Sequence, residues 1–424
     1  MSPIEEKPAV AGKRSVLRNL LFSALVLVFV IVALHVVSYF GLRHFNRQLI
    51  GEMDEVLKPT IPHFFDYLDV RLDFIHPFLK TTVVPNQHLP FCRVNRQGYR
   101  GPDFVREKTG AFRVAIVGGS AAMSWFANAE DETIHSCLQS ELERAFPDEQ
   151  FEVYNFAVFT YNSTQELFVL ETEVLDYAPD FVIIFSGIND FGWGVEGHWQ
   201  PRHPLGWFHM RSIIDTGHFQ EDYGKRPLLR HSFKWSFLAR TTRENLAVRW
   251  SPIELARNLR RSRTPQTNKL FHYGETEFAL IGKRTQIWAE NIEMMARMLD
   301  SFDIPYCASL QPCAFYHHEP SAPVMRVTEH FIPRTEDMEN ARRYLTTVYP
   351  AAEKALVARP YNIRTFDVTR CFKGIGDPVY FDLCHLNAAG TRILARRYGE
   401  HLRPFVERWR QAKLTSDSPT SQPL

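Results

Sequence analysis

The chain has 424 residues, and its 49 Lys and Arg nearly cancel 48 Asp and Glu, which leaves a formal net charge of +1. This balance argues against a nucleic-acid partner, and a hydrophobic content of 45% with 13% aromatic residues excludes global disorder. The six cysteines show no CxxC or Cys/His spacing of a zinc site, so we expect neither a metal nor another cofactor.

The first strong pattern is an apolar run from Leu20 to Phe40 that contains no Asp, Glu, Lys or Arg. It has about the ~20 residues that a helix needs to cross a bilayer core. Basic residues are more frequent in residues 1–19 than just after the run, so the N-terminus is expected in the cytoplasm. A cleaved signal peptide is the alternative, but the run does not lead into a small-x-small cleavage site. We predict an uncleaved signal anchor at 20–40, with the remaining chain outside the cytoplasm, in the periplasm if the source is bacterial.

Residues 41–110 are predicted to be a juxtamembrane extension with short helical pieces, such as Asn46 to Leu57, followed by a segment broken by prolines. The extension ends in the stretch Val94–Pro102 (VNRQGYRGP), whose Gly and Pro residues predict turns.

From Phe112 onward, short apolar runs alternate with segments of helical periodicity. The alternation predicts parallel strands joined by right-handed crossovers, and therefore a three-layer α/β/α sandwich with a central, mostly parallel five-stranded sheet. This α/β domain is predicted over 111–412, after one transmembrane helix, and a Ser/Thr/Pro-rich tail at 413–424 is predicted to be disordered. The five predicted strands are 112–117, 151–156, 181–185, 305–310 and 363–368.

An insertion at 192–275 interrupts the alternation. Its segment from Lys225 to Lys269 contains twelve Lys or Arg and two Glu. A solvated basic face is one interpretation of this segment. A lid that contacts anionic lipid headgroups or an acidic glycan is the other.

Three polar motifs follow predicted strands, where ligands of open α/β sheets bind. Gly118-Gly119-Ser120 places a hydroxyl after a sharp turn, and Ser186-Gly187-Ile188-Asn189-Asp190 offers an amide donor. Asp382-Leu383-Cys384-His385 lets a carboxylate orient an imidazole as a general base. Singly, each has a plain alternative: a turn, a helix cap, and a surface ion pair or half a metal site. Together they predict a nucleophile, an oxyanion donor and a base at one edge of the sheet.

The order GGS, NFA, GIND and DxxH resembles the SGNH hydrolases, also called GDSL esterases or lipases, over roughly Phe112 to Trp409. The resemblance implies Ser120 as nucleophile, His385 as general base and Asp382 as the carboxylate that orients it. It further implies an oxyanion hole made of the Ser120 N–H, a second main-chain N–H assigned to Ala157, and the Asn189 amide.

Two positions depart from the pattern of the family. Gly119 replaces the usual Asp before the serine, and Ala157 replaces a glycine, although alanine can supply the same N–H if its backbone angles allow it. Gly119 and Gly187 are expected to shape the backbone beside the site.

Cys371 and Cys384 flank the loop that carries the Asp/His pair. Outside the cytoplasm a disulfide between them would stiffen this loop, and two free buried thiols are the alternative.

The resemblance and the residue types predict a serine esterase that works through an acyl-Ser120 intermediate. The expected substrate is an O-acetyl or other short acyl ester, on a small molecule or a glycan. The VNRQGYRG stretch resembles anchored SGNH proteins associated with exopolysaccharide production, and this resemblance suggests a surface polysaccharide as the glycan. An O-acyltransferase that uses the same triad is the first alternative. A non-catalytic glycan-binding or assembly subunit is the second.

Overall fold

The computed structural model describes residues 18–30, 33, 70, 72–76, 78–191, 202–203, 273–332, 335–376 and 378–416. The chain divides into two compact units, one made of Met1–Asp54 with His218–Gln266 and the other of Glu55–Gly217 with Thr267–Leu424.

In the first unit, the described residues form one helix, α1, over residues 18–30. Its large apolar side chains are exposed, for example Phe22 at 69% and Phe29 at 72%. Among the described residues, no helix has both the length and the hydropathy needed to cross a membrane. The predicted span at 20–40 continues beyond α1, and apart from Ala33 that continuation lies outside the described residues.

In the second unit, strands and helices alternate as the sequence predicts from Phe112 onward. The strands are β1 (Leu72–His76), β2 (Lys80–Val83), β3 (Gln87–Leu89), β4 (Cys92–Val94), β5 (Phe112–Gly118), β6 (Phe151–Asn155), β7 (Phe181–Ser186) and β8 (Tyr306–Leu310). The helices are α2 (Ile134–Ala145), α3 (Ser163–Thr172), α4 (Ile188–Phe191), α5 (Glu275–Ser301), α6 (Ala322–Phe331), α7 (Thr335–Val357) and α8 (Ala388–Ser416).

The central sheet is parallel and has the order β6-β5-β7-β8. Every residue of β5, β7 and β8 is buried, as the uninterrupted apolar runs predict for strands covered on both faces. The chain leaves β5 toward β6 and then crosses back to β7, so right-handed crossovers put α2 and α3 on opposite faces. Helix α2 packs against α8, and α5 packs against α3 and α7. The predicted α/β architecture with a parallel sheet is therefore confirmed.

The prediction of a fifth strand at 363–368 is wrong. This segment makes a single parallel bridge, between Ala308 and Thr365, with one main-chain hydrogen bond on each side of it. Asp367 then accepts hydrogen bonds from the N–H and the hydroxyl of Thr369, which turns the chain away from the edge of the sheet.

The extension before Phe112 contains two antiparallel hairpins that the sequence analysis missed, β1 with β2 and β3 with β4. Short strands interrupted by Pro and Gly give little periodic signal, which is why the stretch suggested only turns. The short helical pieces predicted at Asn46 to Leu57 lie outside the described part of the chain.

The end of the extension is part of the domain's packing. The ring of Phe104 is 1% exposed and stacks on Tyr154 at 4.5 Å between centroids, and Phe156 lies 4.7 Å away. The side chain of Arg100 is fully buried and donates hydrogen bonds to the carbonyls of Phe91 and Ser124.

The basic insertion at 192–275 is described only at Arg202, His203 and its last residues from Tyr273. Helix α8 continues to Ser416, into the segment predicted to be disordered. Residues 417–424 are not among those described.

Candidate active site

Ser120 lies where β5 ends and the chain turns sharply. Gly118 and Gly119 precede it because there is no room for a side chain: a Cβ at Gly118 would come within 2.5 Å of the Phe185 carbonyl oxygen. The turn is closed by a hydrogen bond from the Trp125 N–H to the Ser120 carbonyl, 2.9 Å long. Ser120 itself is 3% exposed. The hydroxyl is therefore held in a narrow place at the carboxyl edge of the sheet.

The structure brings Ser120, His385 and Asp382 together in one relay. His385 Nε2 lies 2.8 Å from Ser120 Oγ, and His385 Nδ1 lies 2.7 Å from Asp382 Oδ2. The other oxygen, Asp382 Oδ1, accepts the N–H groups of Cys384 (2.9 Å) and His385 (2.8 Å). These two bonds close a tight turn, and they fix the carboxylate so that its free oxygen faces the imidazole.

The carboxylate and the imidazole stabilise each other's charged form. Burial opposes ionisation of both, but the charge of each outweighs that penalty for its partner. The pKa of His385 is raised well above 6.5 by the Asp382 carboxylate, and the pKa of Asp382 is lowered by the His385 charge and by hydrogen bonds to it. The pair is suited to hold a proton on the imidazole while a reaction proceeds at Ser120.

Asn189 lies on the short helix α4, which follows β7 directly. Its Nδ2 donates to the Tyr161 carbonyl at 2.8 Å. A Cβ at Gly119 would lie 2.4 Å from this Nδ2, so the glycine that departs from the SGNH pattern makes room for the Asn189 amide. Gly187 has φ +132°, and a Cβ there would lie 2.6 Å from Leu310 Cδ1. Both glycines are thus required by the local backbone and packing.

The Ala157 N–H, expected to be an oxyanion donor, is engaged inside the chain. It donates to Asn155 Oδ1 at 3.0 Å, and Ala157 is fully buried. In this arrangement it is not available to a substrate oxygen.

A residue that the sequence analysis did not select lies three positions further on. Thr160 adopts φ +70°, which is strained for a residue with a branched Cβ. Within the described part of the chain, neither its N–H nor that of Ser120 has a hydrogen-bond partner. Thr160 adjoins Tyr161, whose carbonyl receives the Asn189 amide. A threonine gives no sequence signal for positive φ, so this position could not have been found from the sequence.

Aromatic rings lie beside His385 and next to one another. The Phe126 ring stands edge-on to the His385 ring at 5.1 Å and lies 6.4 Å from Phe381. Trp125 packs on Phe159 at 4.8 Å between centroids. Phe126 adopts φ +75°, so the loop that follows Ser120 is held in a strained conformation beside His385. These rings make an apolar wall that limits the access of water.

Two buried carboxyl groups have no role in the sequence-based predictions: Asp190, which follows Asn189 in the chain, and Glu166 on α3. Asp190 is 6% exposed and accepts the hydroxyl and the N–H of Ser163. Asn291 donates to the same hydroxyl at 2.8 Å. Burial raises the pKa of Asp190 to about 7, and burial together with the nearby Asp190 raises the pKa of Glu166 well above its usual value. One proton shared by the two acids would relieve their repulsion.

Cys371 and Cys384 are free thiols in the structure, so the possible disulfide between them is not formed and the alternative of two free thiols holds. The Cys384 sulfur lies 3.6 Å from His385 Nδ1. It therefore faces the relay. Among the described residues, one group of side chains could hold a metal ion, and it consists of Asp382, Cys384 and His385.

Several solved structures are similar to this chain. An acetyl xylan esterase is 13% identical, with 68% of this chain and 99% of that chain covered and a TM-score of 0.34. A GDSL-like lipase from Bacteroides thetaiotaomicron is 11% identical, with 71% and 92% covered and a TM-score of 0.31. A catalytic mutant of an acetylxylan esterase from Geobacillus stearothermophilus is 14% identical, with 70% and 96% covered and a TM-score of 0.33.

No protein-family model matches the chain, and no curated protein matches its sequence. Similarity at these identities and TM-scores does not establish a shared function.

Proposed function

We propose that this protein is a serine esterase of the SGNH type that acts through an acyl-Ser120 intermediate. The observation that carries the proposal is the continuous relay from Ser120 Oγ to His385 and on to Asp382, with distances of 2.8 and 2.7 Å. A serine hydroxyl is a weak nucleophile alone, and a base within hydrogen-bond reach activates it.

In the proposed reaction, His385 takes the proton of Ser120 as Oγ attacks the ester carbonyl. Asp382 stabilises the imidazolium that forms. The same proton then goes to the departing alcohol oxygen, which leaves an acyl group on Ser120. Water, activated by His385, attacks this acyl group and releases the acid. Transfer to a sugar hydroxyl would use the same relay, and products formed with an acceptor sugar present distinguish the two outcomes.

The negative charge on the carbonyl oxygen needs preorganised donors. The Ser120 N–H and the Asn189 amide are the donors that we propose. Thr160 is a better third candidate than Ala157, because the N–H of Ala157 already donates to Asn155 whereas that of Thr160 has no partner within the described residues.

A short acyl group is the proposed substrate moiety. Ser120 is 3% exposed, and aromatic rings stand beside His385, which together favour an acetyl over a long chain. We propose an O-acetylated surface polysaccharide as the natural substrate, on the resemblance of the Val94–Pro102 stretch to anchored proteins of exopolysaccharide production.

Hydrolysis of p-nitrophenyl acetate by the full chain tests the activity. Ser120→Ala should lower kcat/KM by about 10³-fold or more, since residues of such a relay act as a unit. Ser140→Ala is the matched control, because this exposed serine on α2 donates only to the Ser136 carbonyl. Equal rates for Ser120→Ala and the unaltered protein would refute the proposal.

We further propose that Leu20 to Phe40 anchors the chain as a single membrane-spanning helix with its N-terminus in the cytoplasm. The apolar run in the sequence and the exposed apolar side chains of α1 support it. Membranes from expressing cells, washed with alkaline carbonate, should retain the full chain, whereas a chain without residues 1–40 should be released. Release of the full chain by the same wash would contradict the anchor.

A further inference from the structure

A cluster of three different metal-ligating atoms lies within the relay itself. The Cys384 sulfur is 3.6 Å from His385 Nδ1, which is 2.7 Å from Asp382 Oδ2. The ligand atoms of all three side chains lie within 4.8 Å of one another. The cluster depends on the Asp-x-Cys-His turn, which points the thiol toward the same nitrogen that the carboxylate meets.

These distances are close to those around a tetrahedral zinc ion. With Zn–N of about 2.0 Å and Zn–S of about 2.3 Å, neighbouring N and S ligands stand about 3.5 Å apart. The separation of Cys384 Sγ and His385 Nδ1 already matches this value. The N and O ligands should stand about 3.3 Å apart, so Asp382 and His385 need to separate by roughly half an ångström. The third separation, between the sulfur and the carboxylate oxygen, lies within 4.8 Å and would have to be about 3.5 Å around a zinc ion, so zinc binding requires the side chains to rotate.

The three side chains are not completely buried. The side chains of His385 and Asp382 are 11% and 17% exposed, and Cys384 is partly exposed, whereas Cys92, Cys137, Cys307 and Cys313 are buried. A mixed set of thiolate, imidazole and carboxylate is the donor set that zinc accepts.

We propose that Asp382, Cys384 and His385 form an inhibitory binding site for Zn²⁺ that competes with the catalytic relay. Zinc forms bonds to Sγ, Nδ1 and Oδ2 and gives up water ligands. The thiol loses its proton to solvent, and the imidazole loses the Nδ1 proton while Nε2 takes one up, so one proton is released in all. Nε2–H then donates to Ser120 Oγ and cannot accept the hydroxyl proton, which stops catalysis.

The inhibition depends on the proposed esterase activity, but the metal site does not. Binding is therefore tested with Co²⁺ as a spectroscopic substitute for zinc, using the full chain. One equivalent of Co²⁺ should produce a thiolate-to-metal charge-transfer band that excess Zn²⁺ abolishes. Ser120→Ala should keep the band, because that variant retains all three ligands. A band that is equally strong in Cys384→Ser would overturn the proposed site.

In the activity test, p-nitrophenyl acetate hydrolysis is followed against Zn²⁺ concentration and normalised to each variant's own rate without metal. Cys384→Ser should need at least about tenfold more zinc for half-inhibition, since loss of even an outer partner of a metal site costs 10- to 100-fold in affinity. Cys371→Ser is the matched control and should be as sensitive as the unaltered protein. Equal sensitivity of Cys384→Ser would refute the inhibitory site. If no variant hydrolyses the ester, the esterase proposal fails, and the cobalt band still decides the metal site.

Discussion

At the residue scale, the interaction of His385 with Asp382 sets how the proposed activity depends on pH. The pKa of His385 is raised by the carboxylate, so the base form of the imidazole predominates only at pH values above that raised pKa. The activity should therefore rise with pH through a point above 6.5. The stability that the pair contributes has a different dependence: it is fully present between the ordinary pKa values of Asp and His, 3.8 and 6.5. It is lost as pH rises through the raised pKa of His385 and as pH falls through the lowered pKa of Asp382.

Asp382→Asn tests this interaction. Removing the carboxylate should lower kcat by about 10²- to 10⁴-fold, because the imidazole loses its orientation and its stabilising charge. The pKa of His385 should fall as well, so the remaining activity should begin at lower pH. The measurement is kcat/KM against pH for the variant and for Asp176→Asn, which removes an exposed carboxylate paired with Arg106. An unshifted acidic limb in Asp382→Asn would contradict the role of the carboxylate.

Gly119→Ala tests whether the Asn189 amide needs the space beside it. The new Cβ would lie 2.4 Å from Asn189 Nδ2 and 2.9 Å from the Tyr161 carbonyl oxygen, so the amide must move. The expected loss in kcat is about 10²- to 10³-fold, the usual effect of losing one oxyanion donor. Gly282→Ala is the control, because a Cβ there meets nothing within 4 Å on helix α5. Comparable kcat for the two variants would exclude this role for Asn189.

At the element scale, hydrogen bonds to the buried Asp190 hold helix α4 in place. The hydroxyl of Ser163, at the start of α3, donates to this carboxyl group and accepts from the Asn291 amide of α5, so three helices meet at one hydroxyl. Because the pKa of Asp190 is raised to about 7, the folded state holds more protons than the unfolded chain between roughly pH 4 and 7. The stability of the fold should therefore decrease as pH rises across this interval.

Asp190→Asn removes the ionisable group but keeps a hydrogen-bonding side chain. We expect the fall in Tm between pH 5 and 8 to be smaller in this variant than in the unaltered protein, because residue 190 no longer loses a proton in this interval. Thermal unfolding followed by circular dichroism measures it. Asp103→Asn, at an exposed position, should leave the slope unchanged. A slope for Asp190→Asn equal to that of the unaltered protein would show that the carboxyl does not titrate there.

At the scale of the whole molecule, the aromatic cluster at the end of the extension joins it to the sheet. Phe104→Ala would leave a cavity between Tyr154, Phe156 and Tyr177, which lie 4.5 to 5.6 Å from its ring. The expected loss is about 3–5 kcal/mol in the free energy of unfolding. Urea unfolding measures it, with Phe302→Ala as the control because that ring is 59% exposed. A loss for Phe104→Ala no larger than the control's would mean that the extension does not stabilise the domain.

The sequence predicted the strands and site residues most accurately where the side-chain pattern directly reflects the backbone geometry. The apolar runs at Phe112 and Phe181 are strands because both faces of the sheet are covered, and the polar residues after them meet because parallel strands share one carboxyl edge. For this reason Ser120 and Asn189 could be placed near one another from spacing alone. The Asp382–His385 pair follows the segment 363–368, which is not a strand of the sheet, so its place at the site rested on the resemblance to the SGNH hydrolases.

The remaining features depend on three-dimensional packing that spacing does not encode. The segment around Thr365 has strand-like residues but is mostly exposed and makes only one bridge. The Ala157 N–H donates a hydrogen bond to the side chain of the residue two positions before it. The positive φ of Thr160 could not be predicted, because threonine is not a residue type that favours positive φ. The turn at Asp382 sets the direction of the Cys384 thiol. Whether this thiol forms a disulfide with Cys371 therefore could not be decided from how close the two cysteines are in the sequence.

The buried guanidinium of Arg100 has a practical consequence for producing the protein. It donates to the Ser124 carbonyl in the loop after the nucleophile and pairs with Glu130 at 3.0 Å. A recombinant truncation that begins at Phe112 keeps all three relay residues but removes this cation, so Ser124 and Glu130 lose their partner. Such a shortened protein should express with an unstable nucleophile loop, and the cloning boundary belongs upstream of the first hairpin.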